Sequence, residues 1–464
     1  MTAPDTLNGR LSAWTHGLDF DRLPARVAHE TRLRILDITG AMLGGRDTAL
    51  AGQVRAAVFA QGGADTPVVG FGGRTGAAHA ALLQGTMACV LEYDDTHVAT
   101  GLHPGSPVVA AALAAGQRAG VSGRALIAAV AVGNETACRL GLVAPGTFHK
   151  VGLHPTGVLG VFGAGYAAAR LAGLEPRRTA AALGLCGSFS SGIMASWEDG
   201  SAAKSLHAGW AAASAIQAVQ LAGCGVSGPG AVYEGRFGFF RAHVQAPGQD
   251  FDWEAAGAQL GERWELLNIA PRAYPCGHYI QPFIDAALRI AGERRITARD
   301  VAQIECLAAD YMIPLICEPA QEKIRPATSW HARYSLPFCV AQCLLDGRFD
   351  KYSLAEAQLG DGSYTGLAAK VVCREDPRAS DRGKWSGEVI VSLRTGERLR
   401  HRIEHMRGTP ANPMSEQELI DKFLHNTSGV LHPDQAGRIV ERILDLQEAQ
   451  DVRTVFEPLC ADAP

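Results

Sequence analysis

The residues best able to do chemistry stand in four short strings. The densest, LEYDDTHVATGLHPGSP from Leu91 to Pro107, gathers Glu92, Asp94, Asp95, Thr96, His97 and His103. Gly101, Pro104, Gly105 and Pro107 punctuate it as a loop. Adjacent carboxylates repel, so one keeps its proton or both are satisfied by hydrogen bonds. Carboxylates beside imidazoles suit acid–base work, the carboxylate orienting a histidine. The same residues also fit a structural part, with Asp95 capping a helix and His97 solvated.

The second string is GLHPTGVLG, Gly152 to Gly160. His154 precedes a proline and opens a glycine-rich helix, whose N-terminus favours an anion. It is either a proton donor or acceptor for a carboxylate, or a satisfied histidine at a turn. In the third, SAAKSLHAGW, Lys204 and His207 stand just before a long uncharged stretch. A lysine there either snorkels from a helix end or points into a pocket. The fourth, PRAYPCGHYIQPFID, sets Arg272, Tyr274, Cys276, His278 and Tyr279 around Pro275 and Gly277. Cys276 has no identifiable partner for a nucleophilic role. His103 and His154 each precede a proline, so each is expected at a rigid turn, the two facing one pocket. The sequence has no glycine-rich strand–helix fingerprint, GxxxxGK[ST], HExxH or GxSxG.

Helices must position these strings. Leu23 to Gly45 has the helical period, and Val108–Gly120, Ala125–Leu142, Gly157–Leu174, Arg178–Ser196 and His207–Gly225 are rich in Ala and Gly. Small residues let helices approach closely, which implies a compact bundle. Residues 1–268 read as helical. Residues 269–408 read as a smaller α+β domain, with strands near 304–307 and 369–373 and a hairpin over Glu388–Leu393 and Arg398–Ile403. Residues 409–464 return to helix and are expected to pack back on the first part. The fold class is therefore mainly α, a helical domain built from both chain ends with an α+β insertion.

The 464 residues carry 43 Lys and Arg against 47 Asp and Glu, a net charge of -4. That balance leaves no footprint for nucleic acid or an anionic membrane, and an anionic substrate needs a local cluster of cations. Ser205–Tyr233 has no charged residue but many alanines, and reads as a buried helix, not a membrane span. The start of the chain is polar and without signal character. The eleven cysteines are scattered, with no Cys-x-x-Cys, so reduced thiols in a cytoplasmic protein are expected. Cys339 and Cys343 share a helix face as core residues, and no metal site is expected.

Taken in order, YDDTH…HPGSP, LHPTGVLGVFGA, AKSLHAGWAA, VYEGRFGFF and YPCGHYIQPFIDAAL resemble the MmgE/PrpD family. The likeness runs over nearly the whole chain, from LPARVAHETRLRILDITGAMLGG to the tail. That family includes 2-methylcitrate dehydratase, cis-aconitate decarboxylase and iminodisuccinate epimerase. The resemblance implies a homodimer without metal or organic cofactor, acting on a small polycarboxylate in a cleft between its domains. It assigns catalysis to Asp94, Asp95, Thr96, His103, His154 and Lys204, and substrate binding to Lys204, His207, Arg272 and His278. Departures are visible too. Arg272 stands where lysine is common, and arginine cannot act as a base near neutral pH. Gly277 and Gln281 replace a frequent cysteine and histidine, and Phe338 of YSLPF replaces the tyrosine of the decarboxylases. The loop from Thr96 to His103 is one residue longer than theirs. The family's shared step is proton removal from carbon beside a carboxylate, or its reverse. The developing enolate needs positive donors, and His103, His154, Lys204 and Arg272 are the candidates. A 2-methylcitrate dehydratase-like hydro-lyase is the expected activity. A cis-aconitate-type decarboxylase and a dicarboxylate epimerase or isomerase are the alternatives, and a non-catalytic carboxylate binder is the rival of another class.

Overall fold

The structure is a computed structural model describing residues 5–245, 248, 250–381 and 384–461. Helix accounts for 57% of the chain and strand for 9%, so the fold is mainly α. The backbone divides into two compact units. The first comprises residues 1–90, 94–269 and 415–464, and the second residues 91–93 and 270–414.

The helices of the first unit, up to residue 223, are α1 (Leu7–Gly17), α2 (Ala25–Gly45), α3 (Ala49–Ala60), α4 (Ala77–Cys89), α5 (Gly105–Ala119), α6 (Gly123–Leu142), the short α7 (Thr147–Lys150), α8 (Pro155–Leu171), α9 (Pro176–Phe189), the short α10 (Ser196–Asp199) and α11 (Ala203–Gly223). Their small residues do what their spacing suggests. A methyl on Gly209 of α11 would meet the carbonyl oxygen of Leu82 on α4 at 2.1 Å, and one on Gly85 would meet the Cα of Gly209 at 2.6 Å. Gly133 of α6 and Gly163 of α8 likewise face each other's carbonyl oxygens. Backbones this close bury α8 on every side: each of its residues but Arg170 is buried. α6 is long and apolar enough to cross a membrane by composition, yet 89% of its apolar window lies inside the fold. It is a core helix of this bundle.

The tail docks on α2. Ser415 starts the helix Glu416–Thr427 with a capping box, its hydroxyl accepting from Glu418 N and its own N–H donating to Glu418 Oε2. Gly40 and Gly44 of α2 admit this helix, since Phe423 and Asn426 sit 3.0–3.3 Å from where their side chains would begin.

In the second unit, four strands are ordered Val371–Glu375, Val301–Ala308, Gly387–Leu393 and Arg398–Ile403. The first pair is parallel and the others antiparallel. Gly396, at φ 90°, turns the hairpin. The helix Gln281–Glu293 lies against the last two strands and against Leu336–Asp346. Cys339 and Cys343 are fully buried on the latter helix, and both thiols are free.

Three readings of the sequence are corrected. The segment Arg178–Ser196 is not one helix: α9 stops at Phe189, Ser190 is extended, and Ser196 starts the separate short α10. Lys204 and His207 lie inside the first two turns of α11, not ahead of it. The uncharged stretch Ser205–Tyr233 is helical only to Gly223, and Trp210, Gln217 and Leu221 on it are exposed.

Candidate active site

Proline chemistry places two of the histidines. Pro155 is the first residue of α8, and its ring holds His154 in extended backbone at the N-cap, φ -85° and ψ 114°. Pro104 is the N-cap of α5, with His103 immediately before it. The two helix starts are tied together: the His103 N–H donates to the Thr156 hydroxyl at 3.0 Å. The imidazoles lie 5.8 Å apart, centre to centre. His207, one turn into α11, extends the row, its ring 5.2 Å from that of His154. Gly157 and Gly192 leave room for it, their missing side chains falling 3.3 Å from His207 atoms. Lys204 sits one turn before His207 and is 2% exposed.

Hydrogen bonding fixes where protons sit. His103 Nδ1 is 2.9 Å from the Asp95 carbonyl oxygen and 2.9 Å from the Thr96 hydroxyl. A carbonyl can only accept, so Nδ1 carries the hydrogen and the neutral ring has its lone pair on Nε2. His103 is thus held in the tautomer of a base. His154 and His207 meet Nδ1 to Nδ1 at 3.1 Å. One nitrogen donates and the other accepts, so this pair shares a single proton along its contact. Burial, and then the charge of Lys204, push His207 down to about 4. The same causes in the same order push His149 of α7 down to about 4. Both are neutral at neutral pH.

The carboxylates stand behind this row. Asp94 and Asp95 are completely buried. Asp94 Oδ2 accepts from the Ser106 hydroxyl at 2.7 Å. Asp95 Oδ1 accepts from the Gly105 N–H, the first of α5, at 2.9 Å, so Asp95 does cap a helix. Burial lifts the Asp95 carboxyl to about 7, Arg34 opposing and Asp94 adding to the rise. His97, by contrast, is fully buried and not solvated. It contacts the Thr100 hydroxyl at 3.0 Å and Glu265 Oε2 at 3.3 Å. That contact is the main cause holding Glu265 down to about 2, and it makes His97 a structural residue.

Arg272 and His278 belong to the second unit. Arg272 is fully buried and donates to Glu92 Oε2 at 2.8 Å. A substrate carboxylate would have to share that guanidinium with Glu92. Glu92 reaches it from a left-handed backbone, φ 52°. His278 stacks on Trp385, 4.3 Å between centres and 16° between planes. Cys276 is buried, and desolvation pushes its thiol up to about 12, which leaves it a poor nucleophile.

The structure thus gathers His103, His154, His207, Lys204, Thr96, Asp94 and Asp95 in the first unit. His149, Ser106 and Thr156 join them without having been marked by the sequence. Ser106 and Thr156 were legible in principle, as small hydroxyl residues just inside two helix starts. His149 carried no signal: only the fold brings its ring against Gly101. Among the described residues, no group of three or more His, Cys, Asp or Glu is placed to hold a metal ion.

Comparison with known proteins gives two family-model matches: the MmgE/PrpD N-terminal domain over residues 9–252 and the MmgE/PrpD C-terminal domain over residues 274–446. Similar proteins include cis-aconitate decarboxylase of Aspergillus terreus, 24% identical over 98% of this chain and 96% of its own. The human cis-aconitate decarboxylase is 25% identical over 97% and 93%. A cis-aconitate decarboxylase-like protein, oryM, of Aspergillus oryzae is 25% identical over 83% of each chain.

Proposed function

From the premise that this chain belongs to the MmgE/PrpD family, we propose that it is a metal-independent lyase acting beside a carboxylate of a small polycarboxylate, most closely a decarboxylase of the cis-aconitate type. The observation that carries the acid–base reading is the row His103–His154–His207, with its base-ready tautomer at His103 and Lys204 beside it. The relatives named cis-aconitate decarboxylase tilt the choice of reaction away from the dehydratase expected from the sequence.

In such a decarboxylation the C–COO⁻ bond breaks, CO2 leaves, and the electron pair stays on carbon conjugated with a second carboxylate. Lys204 steadies that negative charge in this reading. A histidine that has first taken up a proton from solvent, and so stands as an imidazolium, then returns that proton to carbon. His103 or the His154–His207 pair supplies it, and the neutral His207 lets a proton pass along the shared contact. The same groups run the related reactions: removal of the proton by His103 Nε2, followed by loss of hydroxide assisted by His154, is a dehydration.

The dehydratase reading stays second, on specific residues. Phe338 puts no hydroxyl where the decarboxylases have a tyrosine, and it is wholly buried. Arg272 replaces a lysine. Incubating the protein separately with cis-aconitate and 2-methylcitrate separates the two. CO2 release from cis-aconitate supports the first reading. Dehydration of 2-methylcitrate without CO2 overturns it in favour of the second.

A further inference from the structure

We propose that Thr156, the second residue of α8, is a substrate-binding residue whose hydroxyl and backbone N–H together seat one carboxylate of the substrate beside His103 and His154. This inference rests on the reading of the site as one for a small polycarboxylate.

The Thr156 side chain is fully buried. Its oxygen accepts the His103 N–H at 3.0 Å, and a hydroxyl that accepts still has a hydrogen to give. Threonines inside the helices of this bundle return it to the carbonyl one turn back. Thr31 gives it to Val27 O at 2.7 Å, Thr86 to Leu82 O at 2.8 Å and Thr136 to Val132 O at 2.8 Å. Thr156 has no such carbonyl, because α8 begins at Pro155 and His154 before it is extended. Among the described residues nothing accepts its hydrogen. The backbone leaves a second donor at the same place. The N–H groups of Gly157 and Val158 both close on the His154 carbonyl, at 3.0 and 3.1 Å. Pro155 has no N–H, and that of Thr156 has no acceptor among the described residues.

The start of α5, tied to this one by the bond from His103 to Thr156, shows what such a place holds. There the Gly105 N–H donates to the Asp95 carboxyl at 2.9 Å. The start of α8 has no side-chain cap and no acidic residue in its first turn. Buried donors are as a rule paired, and the start of a 17-residue helix favours an anion. A carboxylate offers one oxygen to the hydroxyl and one to the N–H. Seated there, it sets its neighbouring carbon beside two imidazoles whose centres lie 5.8 Å apart.

The test uses propane-1,2,3-tricarboxylate, which has neither double bond nor hydroxyl to react at, so binding is read apart from chemistry. Its affinity is measured by calorimetry on the full-length protein in wild type, Thr156→Val and Thr156→Ser, and the Thr156 amide is followed by ¹H–¹⁵N NMR. Valine keeps the shape and removes the hydroxyl, and affinity should fall about tenfold to a hundredfold, the effect of one hydrogen bond to a charged group. Serine should restore most of it. In wild type the Thr156 amide proton should move downfield as the tricarboxylate saturates, which loss of the tie to His103 cannot imitate. Equal affinity in wild type and Thr156→Val, or an amide that saturating tricarboxylate leaves unmoved, overturns the proposal. Should Thr156→Val fail to fold, the amide decides alone. Binding that bypasses Thr156 leaves the proposed function standing, whereas a wild-type protein that binds no tricarboxylate refutes both.

Discussion

At His103 the place of one proton is decided by a neighbour that cannot donate. Because the Asp95 carbonyl accepts from Nδ1, Nε2 is the nitrogen that can take a proton. His103→Gln keeps bulk and hydrogen bonding but not basicity. We expect kcat to fall by about 10²–10⁴-fold, the usual contribution of a positioned base or acid, with KM little changed. Equal kcat in the variant would remove His103 from the chemistry. Lys204 is proposed to hold a substrate carboxylate as well as to steady the developing charge. Losing one charge-assisted hydrogen bond from a buried ammonium costs about 1.5–3 kcal/mol, so Lys204→Ala should raise KM by roughly tenfold or more. An unchanged KM and an unchanged kcat would make it a structural lysine. Both residues were visible in the sequence, one by the proline after it and the other as the lone lysine at the head of an uncharged stretch. The pairings around them were not, since Thr156 meets His103, and His207 meets His154, across 53 residues of chain.

Among the elements, close helix crossings carry the architecture. Gly209→Ala places a methyl against the Leu82 carbonyl oxygen and must part α4 from α11. Overpacking of this kind costs about 1–3 kcal/mol, to be read as a lower thermal midpoint. An unchanged midpoint would show that the crossing is looser. The abundance of Ala and Gly announced such crossings, but not which glycines meet. Helix ends were less legible where tertiary bonds decide them. α9 stops at Phe189, and three residues on the Gly192 carbonyl accepts the His154 N–H. Acid stability is a property of these packed elements as well. His149 is depressed from 6.5 to about 4, so the unfolded chain binds its proton first. Its contribution is present above pH 6.5 and lost as pH falls toward 4. Asp95 is raised from 3.8 to about 7 and has the opposite slope, stability falling as pH rises through that window. Between pH 7 and 4.5 the loss of thermal stability should therefore be shallower in His149→Gln and steeper in Asp95→Asn. A steeper loss in His149→Gln would contradict the first assignment, and a shallower one in Asp95→Asn the second.

For the whole molecule, the mainly α fold and the change to an α+β unit were legible from periodicity and turn chemistry. The grouping of Leu91–Tyr93 with the second unit was not. It accompanies a Glu92–Arg272 pair that spans 180 residues, beyond any local pattern. Family membership brings a strong expectation about chemistry and a weaker one about substrate, because the relatives match over nearly the whole chain but at only 24–25% identity. Turnover should survive a chelator, since the acid–base groups are imidazoles and a lysine. Activity lost to chelation and restored by a divalent ion would contradict this. The most direct test of the central claim is to incubate wild type and His103→Gln with cis-aconitate, 2-methylcitrate and a panel of other di- and tricarboxylates in D2O, following C–H exchange and products by NMR. At least one carboxylate should acquire deuterium at the carbon beside a carboxyl group in wild type, and at least a hundredfold more slowly in the variant, about the lower limit for a lost acid or base. No deuterium in any of them, or equal exchange in both proteins, would contradict it.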